Sequence, residues 1–175
     1  MKTKVIAVVG RKGAGKTTTI EILTRKMTGR GYKVTAVKHI PEPDFTIDEE
    51  GKDTWRFAQS GAEAVVAVAS TEIVTIEKTV PTKPSLEDIL QRSRGADLVL
   101  LEGFKELVGN NSDVPKIVAV KSSDDTLEAL KMFKPILAFT GLVSKESLDV
   151  NIPYVNVLIN AEKIVDIVEK YVKKE

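Results

Sequence analysis

Gly10 to Thr17 read G-R-K-G-A-G-K-T, which fits the spacing G-x-x-x-x-G-K-[ST]. This spacing serves one kind of chemistry: it wraps backbone N–H groups around phosphate oxygens. Gly10, Gly13 and Gly15 let the chain approach an anion closely, with its amides turned inward. Lys16 is placed to reach β- and γ-phosphates, and the Thr17 hydroxyl to bind Mg²⁺. The cradle runs on to Thr18 and takes in Arg11, Lys12 and Ala14. Arg11 and Lys12 each read either as a cation facing phosphate or as an ordinary solvated base.

A second chemical element lies far downstream. In "ADLVLLEGF" four apolar residues, Leu98 to Leu101, lead directly to Glu102 and Gly103. A buried strand ending in an acid is the usual partner of a phosphate loop, since the carboxylate faces Mg²⁺ directly or through water. Glu102 stands where aspartate is more common. Lys16 and Glu102 are thus the first catalytic candidates, and Thr17 and Glu102 the metal candidates. Asp97 opens the same strand, about 17 Å from its other end, and is a poor metal candidate.

These residues need elements to position them. "KVIAVVG" is apolar and β-branched and ends in glycine, as a buried strand does. The following segment, Thr17 to Arg30, sets Ile20, Leu23 and Met27 on one helical face, with Gly29 and Gly31 supplying C-cap chemistry. "YKVTAVKH" reads as a second strand, and "IPEPDFTIDEEGKD" as a long loop of the functional kind. Asp53 suits the N-cap of a short helix over "TWRFAQSGA". "EAVVAVAS" and "EIVTIEK" form a candidate hairpin. Ser85 and Asp88 have capping-box spacing at a helix start. "ADLVLLEG", "PKIVAVK", "KPILAFTG" and "IPYVNVL" are further strands, with a helix over "DDTLEALKMF" between the middle two. A last helix begins near Asn160 and aligns Ala161, Ile164, Val165, Val168, Tyr171 and Val172. Strands alternating with helices predict a P-loop NTPase three-layer sandwich: an α/β fold with a mainly parallel sheet, helices on both faces and one antiparallel pair. The 175 residues read as a single nucleotide-binding domain over 1–175.

Composition narrows the function classes. A net charge of +1 gives no global pull toward nucleic acid or anionic membrane, so anion binding must be local. With no cysteine and one histidine, thiolate and His-rich metal sites are excluded. The N-terminal apolar stretch is broken by Gly10 and Arg11, unlike a signal peptide, and no run is long enough to span a bilayer. A cytoplasmic protein is expected, with neither nucleic acid nor membrane as partner.

Four stretches together resemble one family, the molybdopterin-guanine dinucleotide biosynthesis protein B (MobB) family: "GRKGAGKTTTIEIL", "YKVTAVKH", "DFTIDEEGKDTWRFAQSGAEAV" and "ADLVLLEGFK", with "PKIVAV" after them. The phosphate loop is common to many proteins. "GKDTWR" followed by "GA" at this distance from "VKH" is far more specific, and so is "EGFK". The resemblance runs from about Lys4 to Val120. It implies a GTP-binding protein, a weak Mg²⁺-dependent GTPase and a homodimer. It also implies assistance to the guanylyltransferase that attaches GMP to molybdopterin, or delivery of the finished cofactor, so that molybdopterin or its guanine dinucleotide is a further candidate ligand. Lys38 and His39 match the family's K-H. Asp44, Phe45, Asp48, Gly51, Lys52, Asp53, Thr54, Trp55 and Arg56 match its next loop, and Glu102, Gly103, Phe104 and Lys105 its E-G-F-K. Family histidines after K-H and W-R are replaced here by "IPEP" and "FAQS". In one branch of P-loop proteins a lysine crosses a dimer interface to the partner's nucleotide. Its place is held here by Arg11.

The middle loop adds Asp53 as a second candidate acid for Mg²⁺ and catalysis, and Lys52 and Arg56 as cations for phosphate or pterin. Trp55 can stack on a ring or pack internally, and His39 reads equally as structural or functional. N-K-x-D, the guanine signature, is absent. Lys145 and Asp149 in "FTGLVSKESLD" lie where a base-reading loop would be, so guanine preference rests on the resemblance. The alternative is a P-loop small-molecule kinase, for which Arg92 and Arg94 are the lid candidates.

Overall fold

The computed structural model describes residues 3–77, 85–141 and 151–174. The chain divides into two compact units, one of residues 1–39 and 85–175, the other of residues 40–84.

The larger unit is built on a six-stranded parallel sheet. In chain order its strands are β1 (Lys4–Gly10), β2 (Val34–Lys38), β5 (Leu98–Glu102), β6 (Lys116–Val120), β7 (Ile136–Gly141) and β8 (Tyr154–Val155). Their spatial order is β2-β5-β1-β6-β7-β8, with every neighbouring pair parallel. A parallel sheet buried on both faces needs apolar side chains at every position, and strand alternation then divides them between two cores. In β1, Ile6 and Val8 pack with α1 (Lys16–Gly29) and α6 (Ala161–Val172), whereas Val5, Ala7 and Val9 pack with α3 (Leu86–Arg92) and α5 (Ser123–Met132). Helices thus cover both faces, as the alternation of elements predicts.

Local chemistry ends the elements where expected. Ser85 and Asp88 form both bonds of a capping box at α3. After α1, Gly31 adopts φ 90°, and the Gly31 and Tyr32 amides donate to the carbonyls of Thr28 and Met27. Arg30 in the same turn meets Glu162, Asp166 and Glu169 of α6 at 2.7–2.8 Å, tying the two helices together. The four-residue α4 (Lys105–Val108) has too short a period to be legible in sequence. Among the described residues, no helix is long and apolar enough to cross a membrane.

One buried cation belongs to the frame. Lys116 is fully inaccessible, and its ammonium donates to the carbonyls of Asn111 (2.7 Å) and Lys134 (2.6 Å). Burial pushes its pKa down to about 8 from its ordinary 10.5. Between these values the unfolded chain holds a proton that the folded protein lacks, so stability rises with pH across the window and the full cost stands below pH 8. Relative to Lys116→Met, the wild type should gain up to about 3 kcal/mol between pH 7 and 11 in urea unfolding. A pH-independent difference would show that this amine does not titrate in the window.

The smaller unit holds α2 (Asp53–Gln59) and an antiparallel hairpin, β3 (Ala64–Val68) with β4 (Ile73–Glu77). The hairpin is as expected, but the helix start is one residue off. Lys52 is the extended N-cap residue and makes no side-chain cap; Asp53 is already helical. Asp53 therefore sits in the first turn, where its charge suits the helix dipole.

Candidate functional site

The site begins where β1 ends. β1 lies between β5 and β6, with Val8 opposite Glu102 and Gly10 opposite Ala119. The loop and the acid-bearing strand therefore open onto the same carboxyl edge of the sheet, the usual place for ligands in open α/β sheets. Gly10 has φ 145°, and a side-chain carbon there would collide with the Ala119 carbonyl oxygen. Gly13 and Gly15 are left-handed, and Gly15 caps α1 without a side-chain bond. Backbone N–H groups at the start of α1 are thus left for an anion, and the helix dipole favours one there. Lys16 bends back to donate to the Arg11 carbonyl at 2.9 Å. Ala14 is buried, Thr18 is half-buried, and Lys12 is exposed.

Residues 85 apart in sequence meet here. The Thr17 hydroxyl donates to the Glu102 carboxylate, 3.1 and 3.2 Å from its two oxygens. Lys38 at the end of β2 lies 3.7 Å from the same carboxylate, whose side chain is 14% exposed. Thr17 and Glu102 are hard oxygen donors. Among the described residues, no three His, Cys, Asp or Glu side chains gather as a metal cage. Two protein oxygens beside a phosphate loop suit Mg²⁺, which keeps waters and takes its remaining ligands from phosphate. Asp97 is at the opposite edge, where it accepts from the Lys33 amide at 2.8 Å.

After Glu102 the chain turns sharply. Gly103 (φ 91°) and Phe104 (φ 54°) are both left-handed, and Phe104 is the one non-glycine with positive φ among the described residues. Such a conformation costs a bulky side chain about 1 kcal/mol or more. Burial of the Phe104 ring, tilted against His39 at 5.1 Å, offsets it. His39 is exposed and ring-packed on one side, which gives it a structural contact.

Cations gather around Lys16. Partial burial pushes the Lys16 ammonium below its ordinary value; Glu102 opposes this, and Lys105, Lys38 and Lys121 reinforce it. The Lys121 ammonium lies 3.2 Å from where a side-chain carbon on Gly13 would begin. Arg11 is differently employed. Its guanidinium pairs with Glu128 and with Asp125 (3.2 Å), both on α5, so in this structure its charge is turned to that helix. Asp125 is itself buried and accepts from the Lys121 amide.

Sequence reasoning assigned no role to Lys121, Asp125 or Glu128. Lys121 follows β6 directly, so the pairing of β6 with β1 carries it to the loop; no local motif announces it. Arg92 ends α3, and Arg94 lies in the turn leading to the start of β5. Both stand toward the edge opposite the phosphate loop, which removes them as lid arginines. Lys145 and Asp149 lie outside the described residues.

The smaller unit carries the other candidates. Asp53 is exposed and pairs with Arg56 at 3.5 Å, and Lys52 lies 3.8 Å from Glu49. Asp48 accepts from the Thr54 hydroxyl at 2.7 Å, which ties the loop to the first turn of α2. Gly51 turns the chain at φ 87°. Trp55 is half-buried, while Asp44 and Phe45 are exposed.

Residues 5–141 match the family model described as molybdopterin guanine dinucleotide synthesis protein B. The chain is 36% identical over 123 residues to the putative molybdopterin-guanine dinucleotide biosynthesis adapter protein of Methanocaldococcus jannaschii, covering 69% of this chain and 49% of that one. It is 34% identical over 115 residues to the adapter protein of Haemophilus influenzae, covering 65% of this chain and 61% of that one. It thus spans about half to three-fifths of these two relatives. Among solved structures, a molybdopterin-guanine biosynthesis protein B matches at TM-score 0.75 and 24% identity, over 97% of this chain and 99% of the other. A MobB homologue from Bacillus stearothermophilus matches at TM-score 0.71 and 23% identity, over 98% and 99%. These structural likenesses bear on the fold.

Proposed function

Since the chain belongs to the molybdopterin guanine dinucleotide synthesis protein B (MobB) family, we propose that it is a GTP-binding adapter in the biosynthesis of molybdopterin guanine dinucleotide. On this reading it is a weak Mg²⁺-dependent GTPase of the cytoplasm. It works as a homodimer that assists the guanylyltransferase or hands on the finished cofactor. The observation that carries the nucleotide part is the meeting of Thr17 and Glu102 beside the Lys16 loop. When Mg²⁺ is bound it neutralises phosphate charge. Thr17 and Glu102 would hold it, the loop amides and Lys16 would orient the phosphates, and Lys38 would steady the Glu102 carboxylate. The names of the relatives supply the adapter role, and guanine preference rests on family membership. Lys12 and Thr18 complete the cradle, to which Arg11 lends its backbone while its guanidinium stays with α5.

The test is GTP hydrolysis with and without Mg²⁺, together with guanylyltransferase binding by the GDP-loaded and GTP-analogue-loaded protein. Tighter partner binding in one nucleotide state is expected. Glu102→Gln should slow hydrolysis by roughly tenfold or more, because groups that orient a metal carry effects of that size. GDP affinity should change by less than about threefold, since the loop amides remain. A variant that hydrolyses at the parent rate with the parent metal requirement would reduce Glu102 to a strand-end acid. Transfer of phosphate to an added small acceptor would make the protein a kinase instead.

A further inference from the structure

The phosphate loop has little of its own to hold it in shape. Gly10, Gly13 and Gly15 all have positive φ, and glycine has the most conformational freedom to lose on ordering. Among the described residues, the backbone of 11–15 bonds to itself once, from the Ala14 amide to the Arg11 carbonyl at 3.3 Å. A firmer fastening comes through the Arg11 side chain. Its Nε lies 3.2 Å from Asp125, and a terminal guanidinium nitrogen donates to Glu128. The two carboxylates are three residues apart on α5 and so share one helix face. Asp125 is itself held. It is buried, its carboxylate accepts from the Lys121 amide at 2.9 Å, and its amide donates to the Ser122 hydroxyl at 3.2 Å. Arg11 thus bridges the loop after β1 to the turn that joins β6 to α5. On its other side, the Arg11 carbonyl accepts from the Lys16 ammonium at 2.9 Å. One residue therefore takes the anchor on its side chain and the phosphate-facing lysine on its backbone.

We propose that Asp125 and Glu128 are positioning residues for nucleotide binding, which hold the phosphate loop in its ligand-ready shape through the guanidinium of Arg11. This rests on the nucleotide reading above and brings two carboxylates outside the cradle into it. Both line the crevice beside Gly10 and Arg11. A carboxylate next to an anion site opposes the anion by repulsion, so these two act on the loop and not on the ligand. Arg11 takes up their charge. Its rigid fork of donors serves two carboxylates at once, which an ammonium does less well. A loop ordered in advance loses less entropy when the nucleotide binds. The gain is modest, because Arg11 and Glu128 are exposed and exposed ion pairs contribute little.

The experiment titrates the full chain by calorimetry with Mg²⁺–GDP and with a Mg²⁺-bound non-hydrolysable GTP analogue. Glu128→Ala is the main variant, because Asp125 also holds the Lys121 amide and its loss would disturb the turn itself. Glu128 is exposed and alanine suits a helix, so the melting temperature should stay within about two degrees of the parent. Affinity for both nucleotides should nevertheless fall about three- to tenfold, although a negative charge has left the rim of an anion site. Arg11→Met should fall at least as far. The double variant should bind no more weakly than Arg11→Met alone, since Glu128 acts through Arg11. Arg11→Lys, which keeps the charge and loses the fork, should stay weaker than the parent by about twofold or more. Unchanged or tighter binding by Glu128→Ala would overturn the positioning role alone. Full recovery in Arg11→Lys would overturn it too, and would make Arg11 a charge for phosphate. So would a loss confined to the GTP analogue, which would put the guanidinium on the γ-phosphate. Additive losses in the double variant would mean that Glu128 acts independently of Arg11, and affinity lost only together with melting would make the pair part of the fold. Failure of the wild type to bind either nucleotide would overturn the nucleotide reading and this role with it.

Discussion

Lys16→Ala is expected to lower affinity for Mg²⁺–GTP by about ten- to a hundredfold and to leave the fold intact. A hydrogen bond to a charged group contributes roughly 1.5–3 kcal/mol, which converts to that range. The side chain is half-buried and has one internal partner, the Arg11 carbonyl, to lose. It stands at the first position of α1, where alanine is a good helix former, so the melting temperature should move by only a few degrees. Removing Lys16 also relieves its repulsion with Lys105, Lys38 and Lys121, which limits any loss of stability. Calorimetric titration with GTP beside a thermal melt measures both quantities. Equal affinity in parent and variant would remove the phosphate-loop assignment, whereas joint loss of affinity and melting would mean that the lysine supports the fold.

Gly10→Ala should do the opposite and unfold the larger unit before any question of ligand arises. The motif presents Gly10 as part of a phosphate cradle, but the structure gives it a further task. At φ 145° it faces β6, and an added carbon would enter the Ala119 carbonyl oxygen. That oxygen is backbone in a central strand, so relief requires parting β1 from the fully buried β6. A clash of this kind, combined with a glycine-only backbone, belongs with the largest single-residue effects, about 4 kcal/mol or more. Gly13→Ala is the control. At φ 72° it has only the flexible end of Lys121 nearby, so it should cost about 1–2 kcal/mol. Urea unfolding of the two variants orders them directly. Equal midpoints would show that β1 and β6 can separate locally without cost.

By itself the sequence determined the parts whose signals are local. The glycine spacing marked the tight turn between β1 and α1, because its positive-φ positions and close backbone approach need glycine within eight residues. The faces of α1 and α6 were legible because a helix period repeats within one element, and the buried strands because both sheet faces demand apolar side chains. Ser85 and Asp88 announced their capping box from three residues apart. Asp53 was misplaced by one position, since several polar residues precede α2 and the true N-cap, Lys52, uses no side-chain bond. Tertiary structure alone decided which distant residues meet. Placing β5 directly beside β1 brings Glu102 to Thr17 and Lys38, and placing β6 on the other side sets Lys121 over Gly13. Arg11 finds Asp125 and Glu128 more than a hundred residues away. Strand order and register have no local period, because they arise from two whole helical layers closing on one sheet. Residue types and local elements could therefore be read in the chain, while the company each side chain keeps could not.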